Sequence, residues 1–182
     1  MSRFEFNLVL VSIMLAFAAT EQLAVWGRVL RKPARFGFSL PFLLSSLWVL
    51  LSLILHWFHF WAYREVDVSQ ARYLFLLTLP SLVLALCSFS LAPDLDTPEP
   101  ILENHWNESS GRLMLVFGAF LVAAPAVDVL LPGPLAGPPT LVALLFAGSF
   151  LAVSLERLRA IRPFLVGLLL ALQTFSVWNL GA

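Results

Sequence analysis

The sequence is poor in cysteine, lysine and charge. Cys87 is the single cysteine of 182 residues, so no intrachain disulfide can form. It lies inside an apolar run and reads as a buried, inert thiol. Lys32 is the single lysine and falls in a connecting segment, which excludes a retinal-type Schiff base on a buried lysine. Charged residues are 12% of the chain, against about 25% in a soluble domain. Catalytic signatures are missing as well. There is no HExxH of a zincin, no GxSxG of a serine hydrolase, no glycine-rich phosphate loop and no CxxC pair. The reading therefore leans away from an enzyme, and it implies no particular cofactor.

What is present is apolar length. Hydrophobic residues make up 60% of the chain, and the mean hydropathy is +0.89. From Leu40 to Ala62 there is no charged residue, enough at about 1.5 Å per residue to cross a hydrocarbon core of about 30 Å. Similar runs recur along the chain. The expected fold is an all-α polytopic transmembrane bundle in a single domain over residues 1–182. Its six spans fall at about 6–28, 40–63, 72–91, 113–131, 138–155 and 161–180. The N-terminal run has a weak signal-peptide character, but it continues past Glu21 to Trp26 and reads as an uncleaved first span.

Charge distribution orients the expected bundle. Arg28, Arg31, Lys32, Arg35, Arg112, Arg157, Arg159 and Arg162 fall on one side, and Arg3, Arg64 and Arg72 on the other. The positive-inside rule then puts both termini outside. Residues 92–112 form the one long connection, an acidic cytoplasmic loop holding Asp94, Asp96, Glu99, Glu103 and Glu108. A short interfacial helix is expected at 100–106, with Ile101, Leu102 and Trp106 toward lipid. Asn107-Glu108-Ser109 matches a glycosylation sequon, which the cytoplasmic side leaves unused. Pro80 and Pro125 are expected to kink the third and fourth spans.

Ionisable and amide groups inside spans are costly, about 2.5–3.5 kcal/mol at a helix centre for a charge, so they point to candidate sites. Glu21 sits in the inner half of the first span, with Arg28 seven residues on, nearly the same helical face. Glu156 closes the fifth span at a similar depth, making an inner cluster of Glu21, Arg28 and Glu156. His56 and His59, three apart, share a face near the outer end of the second span. Asp128 lies at comparable depth in the fourth, and Gln173 near the centre of the sixth. Glu21, His56, Asp128 and Gln173 are the candidate transport residues. His56, His59 and Asp128 are the weak candidates for a metal. The competing reading is structural: an ion pair at the inner interface for Glu21, and an interfacial aromatic belt for the histidines.

Three segments carry a family resemblance: Ala19-Thr20-Glu21-Gln22-Leu23 before the basic connection, the aromatic block His56 to Trp61 after Trp48, and Leu102-Glu103-Asn104-His105-Trp106. With these the chain resembles a group of bacterial six-helix inner-membrane proteins of unknown function. The resemblance implies a multi-pass location in the cell inner membrane, without implying a chemistry. Two functions follow as expectations. One is an ion, proton or small-solute channel or transporter subunit. The other is a non-catalytic membrane partner, an assembly factor, anchor or sensor subunit in a larger complex. The expected partners are the lipid bilayer and either further copies of this chain or another membrane protein, with no nucleic acid.

Overall fold

The computed structural model describes residues 3–61, 63–64, 71–93, 101–130, 154 and 160–180. Among them there is no strand. The helices are α1 (Arg3–Arg31), α2 (Pro33–Phe36), α3 (Leu40–Trp61), α4 (Ala71–Leu91), α5 (Ile101–Leu130) and α6 (Arg162–Leu180).

Three of them are long and apolar enough to cross a membrane: Phe4–Arg31, Leu40–Trp61 and Tyr73–Leu91. By length and composition they are helices of the membrane-spanning kind, and they coincide with the first three expected spans. The 22 residues of α3 extend about 33 Å at 1.5 Å per residue, just over a bilayer core of about 30 Å. The sequence explains why α3 stops at both ends. Gly37, at φ 69°, turns the chain before Leu40 in a left-handed conformation that glycine adopts without steric cost. At the other end Trp61 gives way to a turn at Tyr63 and Arg64.

Helix directions follow from the side-chain pairs. Phe4 at the start of α1 stacks on Phe60 at the end of α3, ring centroids 5.5 Å apart, so these two helices are antiparallel. Near the other end of the pair, Trp26 reaches Ser46. α4 lies against both, and packs most extensively on α5 and α1. α5 runs alongside α3 in the same direction, from the Phe42–His105 contact through Trp48–Phe117 at 3.8 Å between centroids to His56–Phe120. The core is continuous through these helices, with Val11, Val25, Trp48, Val49, Leu84 and Leu113 almost fully enclosed. Phe6, Phe17, Ile54, Phe58, Phe75 and Phe164 point outward and are more than half exposed. That arrangement, apolar inside and apolar outside, suits helices that face lipid.

The connection at 92–112 differs from the expected loop. Residues 101–112 are the first three turns of α5, one uninterrupted helix of 30 residues. Ile101 and Leu102 are fully buried and Trp106 is 5% exposed, so they face the protein and not lipid. The physical reason is a stripe at helical spacing: Leu102, Trp106, Ser109, Leu113 and Phe117 are all buried on one side, four, three, four and four residues apart. Glu103, Asn104 and Glu108 are exposed on the opposite face. Ser109 of the sequon is enclosed and donates to the His105 carbonyl at 2.7 Å.

Six spans are expected and, among the described residues, three helices qualify: the expected fourth and sixth spans fall on α5 and α6, which are not among the three, and Arg162–Ala171 of α6 is a shorter apolar segment. The expected fifth span lies outside the described residues apart from Ser154. Pro80 lies inside α4.

Candidate functional site

A buried polar cluster lies where α1, α3 and α4 meet. Gln22, fully buried on α1, is held at both ends of its amide. Its Nε2 donates to the Ser88 carbonyl of α4 at 2.8 Å, and its Oε1 accepts from the Ser46 hydroxyl of α3 at 2.6 Å. Ser46 in turn accepts from the Trp26 indole N–H at 2.7 Å. The Ser88 hydroxyl returns to α1, donating to the Ala18 carbonyl at 2.6 Å. Three helices are thus tied by groups spaced one turn apart on α1, the Ala18 carbonyl and the Gln22 and Trp26 side chains, the spacing that keeps a single helix face toward its neighbours. In a site without water, an amide left unpaired is expensive. Here each group named has found a partner.

A second polar contact lies toward the other end of α3. His56 is 7% exposed, and its Nε2 is 2.9 Å from the Ser81 hydroxyl of α4. The His56 and His59 rings share a face as the spacing requires, with centroids 6.5 Å apart. His59 is half-buried and meets Tyr63 edge-on at 5.6 Å. Between them and α4 and α5 lies a cavity of about 10 Å³ lined by His56, His59, Tyr63, Leu77, Pro80 and Val127, among others. That is at the lower limit for one water. The structural reading of the two histidines is an interfacial belt with polar tips in water. His59 and the partly exposed Trp57 and Trp61 fit it; His56 does not, because its ring is inside the bundle.

Glu21 and Arg28 come together as their spacing implies, at 3.8 Å. Both side chains are about a third exposed, so this is a pair at the rim and not in the core. Glu156, the third member of the expected inner cluster, lies outside the described residues. Asp128 and Gln173 fall on α5 and α6, and their side chains lie outside what is described. The proposed metal set therefore keeps two described members, His56 and His59. Among the described residues no group of three or more histidine, cysteine, aspartate or glutamate side chains could hold a metal ion. Cys87 is buried and reduced, as expected.

Three further positions carried no candidate role in the sequence. Arg162, counted only as a basic residue of a connection, is 1% exposed. It donates from Nη1 to the Ser110 hydroxyl at 2.9 Å and from Nη2 to the Ser154 carbonyl at 2.8 Å. Gly111 makes room for it, since a Cβ there would lie 3.2 Å from Arg162 Nη2 and 3.2 Å from the Ser154 carbonyl. Asn7 on α1 is 2% exposed, and its Nδ2 has no hydrogen-bond partner among the described residues. His105 reaches the Leu91 carbonyl, at 3.0 Å, where α4 ends, satisfying one of the terminal carbonyls that a helix leaves open. The sequence held a signal for Arg162, in Ser110-Gly111 on one element and arginine at the start of another, but it has no force without knowledge of which helices meet.

No family model, curated protein or solved structure matches this chain. The likeness to a bacterial inner-membrane group rests on the three quoted segments alone.

Proposed function

We propose that this chain is a non-catalytic, multi-pass membrane protein that serves as a partner, anchor or assembly subunit within a larger membrane complex. One observation carries the reading: the described polar groups inside the helices are mainly spent on one another. Gln22, Ser46 and Ser88 satisfy each other across α1, α3 and α4, and His56 meets Ser81. A conducting path needs polar groups turned toward water or an ion, whereas the cavity beside His56 has room for about one water. Glu21 is engaged with Arg28 at the rim. The full arrangement proposed is six spans with both termini outside, in the cell inner membrane, following the charge asymmetry of the connections. The test is purification of the tagged chain from its native membranes in mild detergent, followed by intact-mass measurement. A complex with a second protein species is expected. A lone monomer with nothing co-purifying would overturn the reading.

A second reading, proton or cation movement, is favoured by one feature. The His56–His59 pair borders a cavity at the end of the bundle, one turn from the helical position of Asp128. Flux into vesicles by the reconstituted protein, compared with Glu21→Gln, His56→Ala and Asp128→Asn, decides it. Loss of flux in these variants supports transport, and an inactive parent removes it.

A further inference from the structure

The corner that joins α1 to α3 has a chemistry that neither functional reading uses. Arg31, Lys32 and Arg35 are all exposed there within five residues. Leu30 and Phe38 flank them at 76% and 75% exposure, among the most exposed large apolar side chains described. The corner is also built to hold its shape. Phe36 of α2 is buried at 3% exposure, and α2 packs on α1 and α5. The Gly37 amide donates to the Pro33 carbonyl at 2.9 Å, and the positive φ of Gly37 turns the chain sharply toward α3. Arg31 donates from Nε to the Gly27 carbonyl at 2.9 Å, which lays its guanidinium along the end of α1.

Two membrane-crossing helices end here, so the corner sits at a bilayer surface. Cations in that zone attract anionic headgroups, and apolar side chains beside them settle among the upper acyl carbons. We propose that the α1–α3 corner is a binding site for anionic phospholipid: Arg31, Lys32 and Arg35 meet the headgroup phosphate, and Leu30 and Phe38 lie against the acyl chains. The turn fixed by Phe36 and Gly37 makes this a formed site and not merely a basic tail.

The experiment is native mass spectrometry of the full chain released from mixed micelles of phosphatidylcholine and phosphatidylglycerol. Phosphatidylglycerol should be retained over phosphatidylcholine. The triple variant Arg31→Gln/Lys32→Gln/Arg35→Gln should lose that preference by about fivefold for each cation removed. Arg64→Gln, which removes an exposed cation at the opposite end of α3, should leave it intact. Excess inorganic phosphate should not displace the lipid. Equal retention in the parent and the triple variant overturns the proposal, as does an equal loss in Arg64→Gln. Displacement by inorganic phosphate would make the ligand a free anion and overturn the assignment to lipid. Circular dichroism on each variant establishes that the helices remain.

Discussion

His56 and Ser81 face each other across the α3–α4 interface, with the imidazole Nε2 2.9 Å from the hydroxyl oxygen. Either group alone is a modest polar residue in an apolar helix. Together they remove each other's need for water, and they set the register of α3 against α4. Interhelical hydrogen bonds in membranes contribute about 0.6 kcal/mol on average and up to about 1.7 kcal/mol. Ser81→Ala should therefore lower stability within that range, as should His56→Leu, and the double variant should cost less than the sum of the two. Reversible unfolding in mixed micelles measures this cycle. Strict additivity would mean that the contact carries no energy.

Ser46 and Ser45 are neighbours on α3 and both are buried, yet they should respond differently to alanine. The Ser45 hydroxyl donates to the Pro41 carbonyl one turn back on its own helix, at 2.7 Å. Losing it strands nothing across an interface. The Ser46 hydroxyl serves both Gln22 Oε1 and the Trp26 indole, so Ser46→Ala leaves an acceptor and a donor without this partner. A cost of about 1–3 kcal/mol per stranded buried group sets the upper range. The expected order in unfolding measurements is Ser46→Ala well below the parent and Ser45→Ala within about 0.5 kcal/mol of it.

Gly111 and Gly167 offer a similar contrast. A methyl group at Gly111 would press on the Arg162 guanidinium and on the Ser154 backbone carbonyl, both at 3.2 Å. The guanidinium is enclosed and bonded to Ser110, so it has little room to yield. Gly111→Ala should destabilise by about 1–3 kcal/mol, the usual cost of overpacking. At Gly167 a methyl group meets nothing within 4 Å, and alanine is the better helix former by about 0.8–1.0 kcal/mol. Gly167→Ala should be neutral or stabilising. Thermal unfolding of both variants in one detergent checks the pair; equal effects would remove the packing argument.

The sequence was most legible where a single helix decides the matter. The uncharged run from Leu40 placed α3 to within two residues, because length and hydropathy are properties of one segment. Glu21 and Arg28 met because seven residues return to nearly the same helical face. Gln22 beside them reads from the sequence as part of the same inner polar stretch, but its tie to three helices does not, because its partners Ser46 and Ser88 are 24 and 66 residues away. The sequence presents the first turns of α5 as a short interfacial helix within a loop, and not as the start of one long buried helix, for a different reason. Five acids in the segment 94–108 suggested a solvated loop, while the buried stripe of Leu102, Trp106, Ser109 and Leu113 ran through it at helical spacing. Periodicity was the better guide there than average polarity. Arg162 illustrates the limit: a buried guanidinium reads as an ordinary basic residue until the elements around it are assembled.

Glu21 offers the sharpest separation between a structural and a functional role. Its carboxylate lies 3.8 Å from the Arg28 guanidinium, with both side chains about a third exposed. Pairs in that setting contribute about 0–1 kcal/mol, because solvent screens the attraction and two long side chains must be held in one geometry. Glu21→Gln keeps the size and polarity of the side chain and removes only the charge, so stability should change by less than about 1 kcal/mol. If Glu21 serves only the ion pair, the Glu21→Gln protein should assemble with the same partners in the same amounts as the parent. If it carries protons or cations, flux should collapse while unfolding stays nearly unchanged. Measuring stability, co-purification and flux on the same preparation distinguishes the two, because an ion pair this exposed cannot abolish activity through unfolding.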